Sequence, residues 1–159
     1  MPGSNIPIRT RKYSRRVQNK RLELRVEVNN IQGKAIGTEG LAQLVQSIWD
    51  GEGRNEGDIR LVLTDDRHIV QLHRQFLQKD GITDVIAFPL EEAEDTFEGE
   101  IYINIDQVFR NAADYAVTPE EEVRRVVAHG TLHFLGFRDK SAREKELMTA
   151  RENHYLARW

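Results

Sequence analysis

The chain has 159 residues, 39% of them hydrophobic and 31% charged, with a net charge of −3 and no cysteine. Such a length suits one domain burying about 70% of its unfolded surface, and the lack of cysteine excludes disulfides and thiolate-held zinc while agreeing with a reducing, cytoplasmic compartment. No apolar run predicts a signal peptide or approaches the ~20 residues of a membrane span, and the net charge alone makes no case for nucleic acid.

Charge is uneven at the start. Arg9, Arg11, Lys12, Arg15, Arg16, Lys20 and Arg21 all precede the first acid, Glu23. Residues 1–20 are therefore expected to form a basic arm, suited to neutralising phosphates or simply solvated and frayed, and residues 21–159 a single domain. Leu22 to Val28 alternates apolar and charged residues, the period of a half-buried strand. From Gly37 to Trp49, the residues Leu41, Leu44, Val45, Ile48 and Trp49 recur at helical spacing, with Thr38 as the expected N-cap and Gly51 and Gly53 closing the helix. Asp58 to Thr64 reads as a second strand. Asp65 or Asp66 then caps a helix carrying Ile69, Val70, Leu72, Phe76 and Leu77.

Thr83 to Leu90 is expected as a short strand ended by Pro89. The acids Glu91, Glu92, Glu94, Asp95, Glu98 and Glu100 are expected to lie on a mobile surface loop; an accessory role with metal or substrate is the lesser alternative. Glu100 to Ile105 predicts another strand, and Asp106 opens an amphipathic helix through Val108, Phe109, Ala112 and Ala113. Thr118, Pro119 and the following acids form a strong helix start. That helix runs to Gly136, and a last one begins near Ser141 and carries Leu147, Met148, Tyr155 and Leu156. Four strands with helices gathered late predict an α+β fold: a four-stranded mixed sheet packed against helices, with the helix ending at Gly136 in the centre.

The chemistry concentrates in that central helix, in the segment His129 to Asp139. His129 and His133 are one turn apart and share a face, with Cβ atoms roughly 5–6 Å apart. Gly136 can adopt a left-handed conformation, ending the helix and letting Asp139 return as a third ligand. Three N/O ligands leave a coordination position open, the mark of a catalytic rather than a structural zinc site. A bare HxxxH pair is a weak signal; the glycine and the carboxylate, with apolar Val126, Val127, Leu132 and Leu135 around them, make it stronger. The spacing also matches that of long zinc-protease motifs, but Gly130 stands where those carry the glutamate base. The missing carboxylate counts against peptide hydrolysis.

The same residues resemble a known family. HGTLHFLGF, preceded by EEEVRRVVA and followed by ELMTARE, is similar to the YbeY family of metal-dependent endoribonucleases of ribosomal RNA maturation. Thr83 to Pro89 resembles its TDVLSFP strand, Gly99 to Ile103 its GDIYI strand, and Met148 through Glu152 its MxxxE closing helix. The resemblance runs from about residue 58 onward and leaves out the basic arm. It implies a single α+β domain with one divalent ion, zinc before others, held by His129, His133 and Asp139. Most members have histidine at the third position; a carboxylate oxygen is a harder donor and relaxes selectivity towards manganese, iron or magnesium. Leu77 aligns with an arginine that follows an aromatic residue in the family, so how phosphate is held is open: Arg74, Lys79 or the arm are candidates. His73 aligns with an asparagine and, like His68 and His154, reads as structural. Trp49 and Trp159 read as packing residues.

The resemblance implies an endoribonuclease of small-subunit ribosomal RNA processing and ribosome quality control, with ribosomal RNA and the small subunit as partners. No residue stands out as general base; metal-bound water is the default nucleophile and the acids near Glu98 a distant second choice. Two alternatives stand beside it: a non-catalytic ribosome-assembly factor with a structural metal, and a zinc peptidase.

Overall fold

The computed structural model describes residues 23–93 and 96–159, so the basic arm expected at 1–20 lies outside the described residues. The N-terminal alternation becomes β1, Leu24–Asn30. Beside it runs β2, Gly57–Thr64, parallel to β1 through the connecting helix α1, Leu41–Gly51. β4, Thr96–Asn104, pairs parallel to β2, and β3, Val85–Ala93, pairs antiparallel to β4. The sheet is therefore mixed, in the order β1-β2-β4-β3. The other helices are α2 (Asp66–Leu72), α3 (Ile105–Tyr115), α4 (Pro119–Phe134) and α5 (Ala142–Leu156).

Strand alternation sorts side chains onto two faces. Ile59, Leu61, Leu63, Ile101 and Ile103 enter the main core with Trp49 of α1 and Val123, Val127 and Leu132 of α4. Ile86, Phe88 and Tyr102 point to the opposite face, where Ile69 and Leu72 of α2 cover them. α4 packs against α1, α3, α5, β3 and β4, so the expectation of a central helix holds. Val123, Val127 and Leu132 are fully buried there. Each such side chain contributes roughly 1.5–3 kcal/mol relative to exposure.

Two glycines set how closely α4 approaches the sheet. A Cβ at Gly99 would meet the Phe134 ring at 2.7 Å, and a Cβ at Gly130 would meet Ile101 Cγ2 at 2.9 Å. Gly130 thus faces the sheet at a point where no side chain fits. This is a packing reason for the missing glutamate.

Several expectations need correction. Four of the acids expected on a loop lie in strands: Glu91 and Glu92 continue β3 past Pro89, and Glu98 and Glu100 belong to β4; Glu94 and Asp95 lie outside the described residues. A register shift between Pro89 and Glu91 marks a bulge. β3 is an edge strand, where a missing N–H and exposed charges are tolerated. α1 starts at Leu41 after Gly40, whose φ of 79° is left-handed, rather than from a Thr38 cap. α3 starts one residue before Asp106, capped by Asn104. α2 ends at Leu72 and passes into a π turn, His73–Leu77, that leaves Phe76 and Leu77 partly exposed. Leu147 faces outward rather than into the core. Among the described residues no helix is long and apolar enough to cross a membrane.

Candidate metal centre

α4 begins as the sequence indicates. Thr118 Oγ1 accepts from the Glu121 N–H at 3.1 Å, and Glu121 Oε2 accepts from the Thr118 N–H at 2.7 Å, closing a capping box. Its other end builds the site. Gly136, at φ 92°, follows the last turn. The Phe137 N–H donates to Leu132 O at 3.1 Å and the Gly136 N–H to His133 O at 3.1 Å, the bond pattern of a Schellman motif. The chain reverses there, and Asp139 comes back over the histidine face.

The three side chains converge. His129 Nε2 lies 2.9 Å from His133 Nε2 and 3.1 Å from Asp139 Oδ2, and His133 Nε2 lies 3.4 Å from that oxygen. Among the described residues these form the one cluster of His, Asp and Glu with metal-holding spacing. The opposite ring nitrogens are both engaged. His133 Nδ1 is 2.9 Å from Phe137 O, and His129 Nδ1 is 2.6 Å from Glu152 Oε1. A carbonyl or a carboxylate can only accept, so each Nδ1 carries a proton and donates it outward. With both rings neutral, two Nε2 lone pairs and a carboxylate oxygen face one another.

That donor set tests the fit of a metal. Three electron-rich atoms at such distances repel unless a cation lies among them, either a metal ion or a proton on one ring. Three corners of a tetrahedron around zinc, with bonds of about 2.0–2.1 Å, would stand about 3.3 Å apart. The observed separations of 2.9, 3.1 and 3.4 Å bracket that value. The residues fit a divalent ion.

Glu152 is the site residue that sequence reasoning left without a role. It is buried on α5, and its other oxygen, Oε2, accepts from Arg125 Nη1 at 3.0 Å. Arg125 is held in turn by Asn153 Oδ1 at 2.9 Å. The signal was present: Met148, Glu152 and Tyr155 share one face of α5, and a glutamate on an apolar face needs a partner. Burial disfavours a charged His129, but the Glu152 hydrogen bond and the charges of Glu152, Asp139 and Asp84 outweigh it, so its pKa is raised above the usual histidine value.

A cavity of about 330 Å³ opens beside the cluster. Its floor is the α4 face bearing Val126 and His129, and its walls include Asn111 and Tyr115 of α3 and Lys145 and Met148 of α5. Glu122 is buried at its edge, with Asn111 Nδ2 at 3.3 Å from Oε1 and 3.4 Å from Asp84 Oδ2. Burial pushes the Glu122 carboxyl up, and the neighbouring Asp84 and Glu152 charges add to this against the Asn111 bond.

Other candidates lie elsewhere. Glu98 lines a separate cavity with Arg25, Arg60 and Glu100 and is not gathered with the histidines. Leu77, Arg74 and Lys79 do not line the histidine cavity, and Arg74 is paired with Asp80 at 3.0 Å. His73 is structural: Nδ1 lies 2.9 Å from Gly81 O. His68 reads as structural too. Its Nδ1 is 2.8 Å from Thr64 Oγ1 and its Nε2 is buried without a partner; burial lowers its pKa, partly opposed by Asp65. Trp49 is fully buried, and Trp159 packs over Gly40.

A mixed sheet carrying a helix with two histidines and a returning carboxylate defines an α+β protein with a candidate divalent-metal centre. A family profile described as Endoribonuclease YbeY matches residues 27–159. The Endoribonuclease YbeY of Flavobacterium psychrophilum is 39% identical over 112 residues, covering 70% of this chain and 79% of that one. Its counterpart in Chlorobaculum tepidum is 32% identical over 133 residues, covering 84% and 96%. A Thermotoga maritima protein solved in solution superposes with a TM-score of 0.58 at 30% identity, covering 86% of this chain and 91% of that one. The chain belongs to the YbeY endoribonuclease family.

Proposed function

We propose that this chain is a metal-dependent endoribonuclease acting in ribosomal RNA maturation, with the small ribosomal subunit as its setting and the cytoplasm as its compartment. His129, His133 and Asp139 hold one divalent ion, zinc in the first instance. The observation that carries this reading is the convergence of two Nε2 atoms and Asp139 Oδ2 within 3.4 Å of one another. Residues 21–159 act as the single catalytic domain, and the basic arm at 1–20 adds phosphate-binding charge.

A divalent ion in this place supplies Lewis acidity and lowers the pKa of coordinated water. The chain's own residues prepare the place for it. Glu152 and the Phe137 carbonyl fix both imidazoles in the tautomer that presents Nε2. Arg125 braces Glu152. The 330 Å³ cavity admits an unstacked nucleotide beside the cluster, which favours single-stranded RNA. Gly130 weighs against peptide hydrolysis, because a glutamate at that position would be driven into Ile101 and Val85 rather than towards the ligands.

Metal-loaded protein should cut a ribosomal RNA fragment and leave casein intact. His133→Ala should lose RNA cleavage while keeping the helical circular-dichroism spectrum. RNA binding without any cleavage, equal with and without metal, would favour the assembly-factor reading instead.

A further inference from the structure

The cavity beside the histidines poses an electrostatic problem for RNA. Asp84, Glu122, Asp139 and Glu152 all line it. A phosphodiester entering past four carboxylates needs cationic help beyond a single ion. Two cationic side chains share the wall, Arg125 and Lys145. Arg125 is committed, with one nitrogen on Glu152 at 3.0 Å and another on Asn153 at 2.9 Å. Lys145 is different: among the described residues it makes no ion pair and no side-chain hydrogen bond.

Lys145 also stands on the right element. It shares the cavity-facing side of α5 with Met148, Thr149 and Glu152, at i, i+3, i+4 and i+7. The positions that sequence offered for phosphate, Arg74 and Lys79, lie off this cavity. Tyr115, the last residue of α3, lines the same cavity and is 67% exposed. Its hydroxyl makes no hydrogen bond among the described residues. Tyr115 lines both the histidine cavity and a second one of about 310 Å³, which continues past Arg124 to Trp159. Tyr115, with Glu122 and Arg125, thus borders two spaces of similar size.

We infer that Lys145 and Tyr115 grip a single RNA strand across the histidine cavity, Lys145 pairing with a backbone phosphate and Tyr115 stacking on the adjoining base. Recognition of this kind is indifferent to sequence, since each base presents a π face and each linkage a charge. It assigns the phosphate-holding role that Leu77 leaves open to a cation on α5. Both side chains are exposed and free of structural bonds, so removing them leaves the fold unchanged.

The inference rests on the endoribonuclease reading, and its test separates the two. A short fluorescein-labelled 2′-O-methyl oligouridylate is titrated with the zinc-loaded full chain across a salt series, by anisotropy. Lys145→Ala should flatten the slope of log affinity against log salt by about 0.7, the loss of one phosphate contact on a single strand. Lys145→Arg should restore it. Tyr115→Ala should weaken binding about fivefold or more, and Tyr115→Phe should bind as wild type. On a cleavable RNA, Tyr115→Ala should raise KM with kcat nearly unchanged. Wild-type affinity and slope in either alanine variant, while the wild-type chain binds and cuts RNA, overturns the inference alone. A wild-type chain that neither binds nor cuts RNA overturns the endoribonuclease reading, and the inference with it.

Discussion

Glu152 Oε1 sits 2.6 Å from His129 Nδ1, which joins α5 to the imidazole that α4 turns towards the candidate metal centre. The contact fixes which nitrogen of His129 is free to bind. It also places a buried carboxylate behind the proposed ligand, where it raises the basicity of the ring.

Glu152→Gln keeps an acceptor in place but removes the charge. The variant should fold normally and bind zinc about 10–100-fold more weakly, the usual cost of losing an outer carboxylate partner. Competition against a chromophoric chelator measures this directly. Unchanged affinity would remove Glu152 from the centre.

In the proposed centre Asp139 supplies the harder donor of the three. Asp139→His should retain zinc and shift selectivity away from manganese, because imidazole suits zinc better than an oxygen-seeking ion. Asp139→Ala should fold, since its side chain is 41% exposed, but retain little metal after dialysis. Mass-spectrometric metal content after equilibration with both ions reads out each variant.

Gly130→Ala tests the closeness of α4 to the sheet. The added Cβ would lie 2.9 Å from Ile101 Cγ2 and 3.3 Å from Val85 Cγ2. Both neighbours are β-branched strand residues with little room to give. Overpacking of this kind costs about 1–3 kcal/mol. That outweighs the gain of about 1 kcal/mol in helix propensity over glycine. Urea denaturation should show a net loss of stability, and a stabilised variant would contradict the packing account.

An ion pair away from the centre gives a pH signature. Arg110 bonds both oxygens of Asp66, at 2.6 and 2.9 Å, and this holds the Asp66 carboxyl below its ordinary value of 3.8, with burial opposing and Asn104 assisting. A depressed folded pKa contributes stability that is fully present above the unfolded value and lost as pH falls through the folded one. Asp66→Asn should therefore melt below wild type at pH 6, with the gap narrowing once pH drops under 3.8. A constant gap across that range would contradict the assignment.

Much of the centre was legible in the sequence because it is local. His129, His133, Gly136 and Asp139 lie within eleven residues, so helical spacing and one glycine turn determine how they meet. The helices α4 and α5 were legible for the same reason, each opening on a capping box. What sequence hid depends on distant partners. Glu91 and Glu92 read as loop because their charge is explained only by the edge position of β3 beside β4. Gly40 displaces the expected Thr38 cap by adopting a left-handed conformation, with Trp159 packed against it from the far end of the chain. Glu152 is 23 residues from His129, and only the packing of α5 on α4 brings the two together.

The most direct test of the central claim is anomalous diffraction at the zinc edge from crystals of the metal-loaded protein. A single peak bonded to His129 Nε2, His133 Nε2 and an Asp139 oxygen, each at about 2.0–2.2 Å, is the predicted result. A peak bonded elsewhere, or Asp139 turned away from the two imidazoles in the metal-loaded crystal, would contradict it.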